Sequence, residues 1–122
     1  MPHIIVEYSS NIEPACCAAD LLQSVHQAAL DSGIFEPSAV RTRAAPRSLY
    51  LVGQNTDPTA GFIHITARIR PGRTTETLES LLRALVDSTE GYLRTANYAA
   101  PLMLNVEIDE LPALRLGSRL FN

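Results

Sequence analysis

Apolar residues recur along this chain with two different periods, and these periods predict its secondary structure. A β-branched run at residues 4–6 predicts a first strand. Ser10 and Glu13 then have the spacing of a capping box, so a helix is expected to begin there. Apolar residues between 18 and 29 follow at helical spacing, and Gly33 is suited to end the helix in a left-handed cap.

A second strand is predicted at residues 40–44, where apolar and polar side chains alternate. Pro46 interrupts this segment. Residues 49–52 are again apolar and β-forming, and they are expected to continue the strand after a kink or bulge at the proline.

The second half repeats this order with a clearer pattern. Residues 62–69 alternate, with isoleucines and Ala67 on one face and Phe62, His64, Thr66 and Arg68 on the other. Thr74 or Thr75 can cap a second helix, whose leucines from 78 to 93 form one buried stripe. Residues 102–108 alternate again and predict the last strand.

The elements therefore follow the order strand, helix, strand in each half, and each half has roughly 55 to 60 residues. Such a unit crosses over right-handed and makes its two strands parallel. Two units predict an α/β (α+β) fold, in which a four-stranded mixed sheet has both helices on one face. We expect residues 1–122 to form a single domain.

The opposite face of this sheet is predicted to stay uncovered by helices. It would carry the side chains His64, Thr66, Arg68, Asn105 and Glu107, together with Glu7 or Tyr8 depending on the register of the first strand. A face of mixed apolar and polar character commonly packs on another subunit. The sequence therefore predicts a homo-oligomer whose sheets pack around an axis.

Composition narrows the possible functions. The 122 residues are 46% hydrophobic, and no apolar run approaches the roughly 20 residues that a spanning helix needs. The formal net charge is −3 and basic residues form no run, which argues against nucleic acid or a membrane as partner. No secretory signal is recognisable, so a cytoplasmic location is expected. No spacing of Cys and His supports a metal site.

All ten basic residues are arginines. Arginine binds carboxylates in a fixed two-pronged geometry, so this composition is compatible with an acidic substrate. A genome rich in G and C would also favour arginine over lysine, and the composition alone does not separate these explanations.

Pro2 is the residue with the most distinctive chemistry. Once Met1 is removed, its nitrogen becomes a secondary amine directly before a strand, which fixes it at the edge of a sheet. Burial and neighbouring cations lower the pKa of such an amine towards the working pH, where a general base is most useful. If Met1 stays attached, the nitrogen is an amide and cannot act as a base.

Four arginines fall at predicted strand ends or turns, where they could face Pro2: Arg41, Arg43, Arg68 and Arg73. A base beside cations, without metal ligands or a glycine-rich phosphate loop, favours proton transfer next to a carbonyl in a small acid. Structural roles are open for the same residues. Arg41 and Arg43 could pair with Glu7 or Glu107 across the sheet, and His64 could be an interface histidine.

Several segments occur in the same order in one known family. They are residues 2–7, 33–35, 40–43, 62–66, 72–73 and 106–111. Together they resemble 5-carboxymethyl-2-hydroxymuconate isomerase, a family of the tautomerase superfamily. The resemblance implies a twofold strand–helix–strand repeat, a trimer and no cofactor.

The resemblance also implies roles for individual residues. Pro2 would be the general base and acid that moves a proton along a conjugated 2-hydroxymuconate-type dicarboxylate. Arg41 and Arg73 would bind its carboxylates, and Arg43 is a further candidate for carboxylate binding.

Two segments depart from the family pattern and leave the substrate open. Residues 44–47 lack the bulkier, aromatic-containing segment of the family, and the tail after Leu111 is shorter. Alternatives are therefore another tautomerase-superfamily activity, such as a phenylpyruvate-type tautomerase, a hydratase or a dehalogenase. A non-catalytic oligomeric protein that binds a small acid is an alternative of another class.

Overall fold

The computed structural model describes residues 1–122, and its elements alternate as the sequence predicts. The strands are β1 (His3–Ser9), β2 (Arg41–Arg47), β3 (Gly61–Ile69) and β4 (Leu102–Glu110). The helices are α1 (Ala18–Asp31) and α2 (Thr75–Thr95), and single 3-10 turns lie at Ser10–Ile12 and Pro37–Ala39. The predicted repeat is confirmed, with one strand–helix–strand unit in each half.

The four strands form one mixed sheet in the order β2-β1-β3-β4. Each unit contributes a parallel pair, β1 with β2 and β3 with β4, and the two units meet where β1 runs antiparallel to β3. In this register His3 lies between Arg41 of β2 and Arg68 of β3. The start of β1 is therefore adjacent to the start of β2 and to the end of β3.

Both helices cover one face of the sheet, as predicted. Helix α1 contacts β2, α2 contacts β4, and the helices contact each other. Apolar side chains of β2 and β4 pack against the core between the layers and are partly buried. The fully buried core comes mainly from β1, β3 and the two helices, and its members include Ile4, Ile63, Ile65, Leu21, Val25, Leu81 and Leu85. Burial of each such side chain contributes roughly 1.5–3 kcal/mol to folding.

Helix α2 is defined by signals that lie close together in the sequence. The Thr74 side chain accepts a hydrogen bond from the backbone N–H of Thr77, which satisfies one of the free donors in the first turn. Thr89 is the one polar residue of the buried stripe, and its hydroxyl donates to the carbonyl of Leu85. Neither helix of the fold is long and apolar enough to cross a membrane.

The prediction that α1 begins at a capping box is wrong. Helix α1 begins at Ala18, and the segment before it forms a 3-10 turn whose last residue is followed by Glu13 in an extended conformation. Ile12 and Cys16 are fully buried. Because both side chains pack into the core from this short segment, its backbone follows the core surface rather than a helical path.

The predicted strand continuation at residues 49–52 is also wrong. Strand β2 ends at Arg47, which pairs with Ser9, the last residue of β1. Beyond this point no neighbouring strand remains to accept hydrogen bonds. Leu49 and Leu51 are accordingly 96% and 77% exposed.

The uncovered face of the sheet has the predicted polar character, and the register selects Glu7 rather than Tyr8 for it. Glu7 lies opposite His64, whereas Tyr8 is buried in the core. Ion pairs cross this face between neighbouring strands: Arg47 with Glu7, His64 with Glu107, and Arg68 with Asp109.

Candidate active site

Pro2 lies at the point where three strand ends meet. It directly precedes β1, its ring is buried, and its carbonyl accepts a hydrogen bond from the backbone N–H of Arg41 at 3.0 Å. This bond extends the pairing of β1 with β2 by one residue. Pro2 is therefore held by the sheet, as its position before a strand predicts.

A cavity of about 200 Å³ opens beside Pro2. Its lining combines apolar and charged side chains, namely Met1, Pro2, Phe35, Glu36, Ala39, Arg70 and Arg73. Two further depressions meet the same end of the sheet, and Met1 and Arg70 line all three. The space at this end of the molecule therefore lies close to the N-terminus and is lined by arginines.

Arg73 is fixed in the cavity wall by three contacts. Its guanidinium donates to the backbone carbonyls of Arg70 at 3.2 Å and Ile34 at 3.5 Å. It also lies over the Phe35 ring, 5.2 Å from the ring centre, which is a cation–π geometry. Gly72 has φ of 109°, a conformation that favours glycine, and it turns the chain so that Arg73 faces Pro2. Its remaining N–H donors are free for a carboxylate.

Arg41 lies on the other side of the N-terminus. Its guanidinium donates to the carbonyl of Ser38 at 2.7 Å and to that of Val40 at 3.3 Å. Arg41 lines one of the adjoining depressions with Met1 and Arg70. The structure thus brings Arg41, Arg73 and Pro2 to one end of the sheet.

Arg43 is not in the wall of these cavities. Its guanidinium is 3.0 Å from Nδ1 of His3 on the uncovered face of the sheet. Burial, and next the charge of Arg43, lower the pKa of His3 below its usual value, so that its neutral form is favoured.

His64 lies farther along the same face. Its Nε2 is 2.9 Å from Glu107, and its Nδ1 is 3.3 Å from the amide nitrogen of Asn105. Since His64 pairs with Glu7 rather than with the first residues of β1, it does not reach the cavity beside Pro2.

The N-terminal amine, carried by Met1, is in a cationic environment. Burial lowers its pKa below the usual value, and the charges of Arg70, Arg115, Arg73 and Arg41 lower it further. Each positive neighbour disfavours the protonated form. An amine at this end of the sheet is therefore more often neutral near pH 7 than a free N-terminus in water.

Arg70 is the residue of this site that sequence reasoning missed. It follows β3 directly and lines all three depressions. The available signal was its position two residues after Arg68 and directly before the Pro71-Gly72 turn. Arg115 and Arg119, in the tail after β4, each line one depression and were missed as well.

Comparison with known proteins decides the family. The profile of the family described as 5-carboxymethyl-2-hydroxymuconate isomerase matches residues 2–116. The chain belongs to this family. It is an isomerase of the tautomerase superfamily. A comparison with curated protein sequences gives no significant match.

Solved structures of the 5-carboxymethyl-2-hydroxymuconate isomerase family and its superfamily share the fold. A 5-carboxymethyl-2-hydroxymuconate isomerase from Deinococcus radiodurans R1 is 27% identical, with a TM-score of 0.86 over 97% of this chain and 88% of that one. A 5-carboxymethyl-2-hydroxymuconate delta-isomerase is 18% identical, with a TM-score of 0.82 over 100% and 89%. A fused 4-OT, described as a symmetric trimer, is 18% identical, with a TM-score of 0.66 over 95% and 90%.

Proposed function

We propose that this protein is a cofactor-independent tautomerase that moves a proton within a small unsaturated 2-hydroxy or 2-oxo dicarboxylate. Its membership of the isomerase family gives the reaction class. The observation that carries the proposal is the cavity that Pro2 shares with the anchored guanidinium of Arg73. The compound class is the one named by the family, a 2-hydroxymuconate.

Pro2 is the general base in this proposal, after removal of Met1. Its secondary amine takes the proton from the 2-hydroxyl group of the dienol and returns it to a carbon farther along the conjugated chain. The O–H bond breaks, a C–H bond forms, and the product is the isomeric ketone. The arginines that lower the pKa of the present N-terminal amine support this role, because a base must be neutral to accept a proton.

Arg41 and Arg73 bind the two carboxylates of the substrate. Both guanidiniums are already held by backbone carbonyls, so little side-chain freedom is lost when a substrate binds. Their charge also stabilises the oxygen that becomes negative while the proton is on Pro2. Arg43 remains a prediction, because it is bonded to His3 on the uncovered face and would have to leave that contact to reach the cavity.

We further propose that the protein assembles as a trimer through the uncovered face of its sheet. Apolar Ile5, Phe62 and Met103 lie on this face among the ion pairs, and Met103 is 76% exposed. A fused 4-OT that is described as a symmetric trimer has the same fold, and this similarity of fold supports three subunits in the assembly. A cytoplasmic location stays a prediction.

The experiment that tests this function is ketonisation of 2-hydroxymuconate followed by ultraviolet absorbance. Protein whose intact mass lacks Met1 should turn the compound over, and Pro2→Ala should lose at least about 100-fold in kcat, the scale of general-base catalysis. Pro58→Ala, in the exposed loop before β3, is the matched control and should keep full activity.

The alternatives give different results in the same assay. Full activity in Pro2→Ala with the same processed N-terminus would reject the role of Pro2. Turnover of phenylenolpyruvate or of halogenated acrylates, without turnover of 2-hydroxymuconate, would identify another activity of the superfamily. Thermal stabilisation by dicarboxylates without any turnover would identify a binding protein.

A further inference from the structure

Arg70 lines every one of the three depressions around the N-terminus. The three depressions at this end differ in most of their lining residues, and Arg70 and Met1 are the only two that line all of them. Any anion that occupies one of these spaces therefore lies beside Arg70. Arg115 and Arg119 reach only one depression each.

The guanidinium of Arg70 is unoccupied, in contrast to those of Arg41 and Arg73. Arg73 donates to two backbone carbonyls and lies over Phe35, and Arg41 donates to two carbonyls. Only the backbone of Arg70 takes part in this network, as the acceptor for Arg73. Its side chain is exposed and has no acidic partner among the ion pairs of the chain. All five of its N–H donors are available to a ligand.

The charge at this end exceeds what a dicarboxylate requires. Arg41 and Arg73 provide one two-pronged donor for each of two carboxylates. Arg70 adds a third, and Glu36 is the one carboxylate that lines these spaces. We propose that Arg70 is a specificity-determining residue that binds a further carboxylate of the substrate, beyond the two assigned to Arg41 and Arg73. This inference rests on the proposed function.

Two compounds that differ by one carboxymethyl group test the proposal. These are 2-hydroxymuconate, with two carboxylates, and 5-carboxymethyl-2-hydroxymuconate, with three. Arg70→Gln should raise KM for the tricarboxylate about fivefold, the upper range for an exposed ion pair, and should change KM for the dicarboxylate less than about twofold. An effect of the substitution on the base changes both KM values by the same factor, so it cancels in their ratio.

Two matched variants separate a specific contact from a general loss of charge. Arg115→Gln removes the same charge from the wall of one depression, and Arg83→Gln removes it from helix α2, far from Pro2. Both should change the KM of the two substrates by the same small factor. A larger selective loss in Arg115→Gln, or an equal effect of Arg70→Gln on both substrates, would overturn the assignment to Arg70.

A binding measurement keeps the inference testable if no substrate is turned over. Adipate and pentane-1,2,5-tricarboxylate are saturated analogues of the two substrates, and calorimetry can compare their Kd values. Wild-type protein should prefer the tricarboxylate, and Arg70→Gln should lose about fivefold of that preference. If neither substrate is turned over but the preference for the tricarboxylate is present, the proposed isomerisation is rejected and the role of Arg70 is retained. Absence of the preference would reject the role of Arg70.

Discussion

The two ends of the sheet occupy corresponding places in the repeat but differ in what surrounds them. We call the end that holds Pro2, Arg41, Arg70 and Arg73 the amine end, and the end that holds Asn11 and Gly61 the closed end. Because β1 and β3 are antiparallel, β1 starts at the amine end and β3 starts at the closed end. The amine end is open and lined by arginines, whereas the closed end is packed around Gly61, and Arg47, which pairs with Ser9 at that end, is bonded to Glu7.

The closed end is packed tightly around Gly61. A side chain at Gly61 would meet Ser9 Oγ at 2.8 Å and Asn11 Oδ1 and Ile12 Cγ2 at 3.0 Å. The Asn11 amide donates to the carbonyls of Ala60 at 2.8 Å and Pro58 at 3.3 Å, which ties the loop before β3 to the end of β1.

This difference shows how a repeated fold supports a single kind of site. In the first unit β1 begins directly after Pro2, beside the arginine-lined cavity. In the second unit the strand continues from a loop, and the backbone N–H of Gly61 is an amide already bonded to the carbonyl of Pro101. The cavity lined by arginines lies at the start of β1, whereas packing around Gly61 fills the start of β3.

The largest expected effect is at the amine end. Arg73→Ala removes an anchored guanidinium that would form charge-assisted bonds to a carboxylate, so kcat/KM for 2-hydroxymuconate should fall roughly 10- to 100-fold. Steady-state kinetics measures this loss, and Arg83→Ala on α2 is the control with unchanged kinetics. If Arg73→Ala kept wild-type kcat/KM, the substrate carboxylate would have to bind to another residue. The proposed role of Arg73 in carboxylate binding would then be rejected.

At the closed end the expected effect is on stability instead. Gly61→Val forces a branched side chain against Ser9, Asn11 and Ile12, and overpacking of this kind costs about 2 kcal/mol in the free energy of unfolding. Urea denaturation measures it, and kcat of the folded fraction should stay unchanged.

Gly91→Ala is the control for the closed-end substitution. A methyl group at Gly91 meets no atom within 4 Å, and the residue lies inside α2. This change should raise the free energy of unfolding by about 0.5–1 kcal/mol, because alanine is the better helix former. Equal stability of Gly61→Val and wild type would show that the closed end is looser than its distances indicate.

The contrast between the two ends was only partly predictable from sequence. Strand β3 and helix α2 follow from local signals, the alternation at residues 62–69 and the Thr74 cap. The start of α1 depends on how Ile12 and Cys16 pack in the core, and the end of β2 depends on where β1 stops. Such tertiary constraints leave no trace in a local pattern.

The same reasoning applies to the site. Pro2, Arg41 and Arg73 could be selected by chemistry and by resemblance, since a terminal proline and arginines at turns are visible in the sequence. Arg70 was missed although its place before the turn is visible, because the importance of that place depends on the antiparallel pairing that brings the end of β3 beside Pro2. Conversely, Arg43 has the same residue type as Arg41, two positions away, yet it contacts His3 on the uncovered face.

A smaller effect is expected from the link between the loop and β1. Asn11→Ala removes both hydrogen bonds to the carbonyls of Pro58 and Ala60, and it should lower the free energy of unfolding by about 1 kcal/mol. Amide hydrogen exchange should become faster in the loop before β3 while it stays unchanged at the amine end. Asn122→Ala, at the exposed chain terminus, is the matched control, and the prediction fails if the two variants are equally stable.

The smallest expected effect concerns the pKa of the N-terminal amine. Arg70 is the largest of the charges that lower this pKa, so Arg70→Gln should raise it, and Arg41→Gln should raise it less. The chain has no lysine, so its α-amine is the only alkyl amine, and the pH dependence of its acylation rate reports the pKa directly.

The sign of this shift follows from electrostatics. Removing a positive neighbour stabilises the protonated amine, so less of it is neutral at a given pH and the acylation curve moves to higher pH. Added salt should move the wild-type curve in the same direction, because exposed charges are screened. A curve that stays in place in Arg70→Gln and in high salt would mean that burial alone sets the pKa. The arginines of the amine end would then act on the substrate and not on the base.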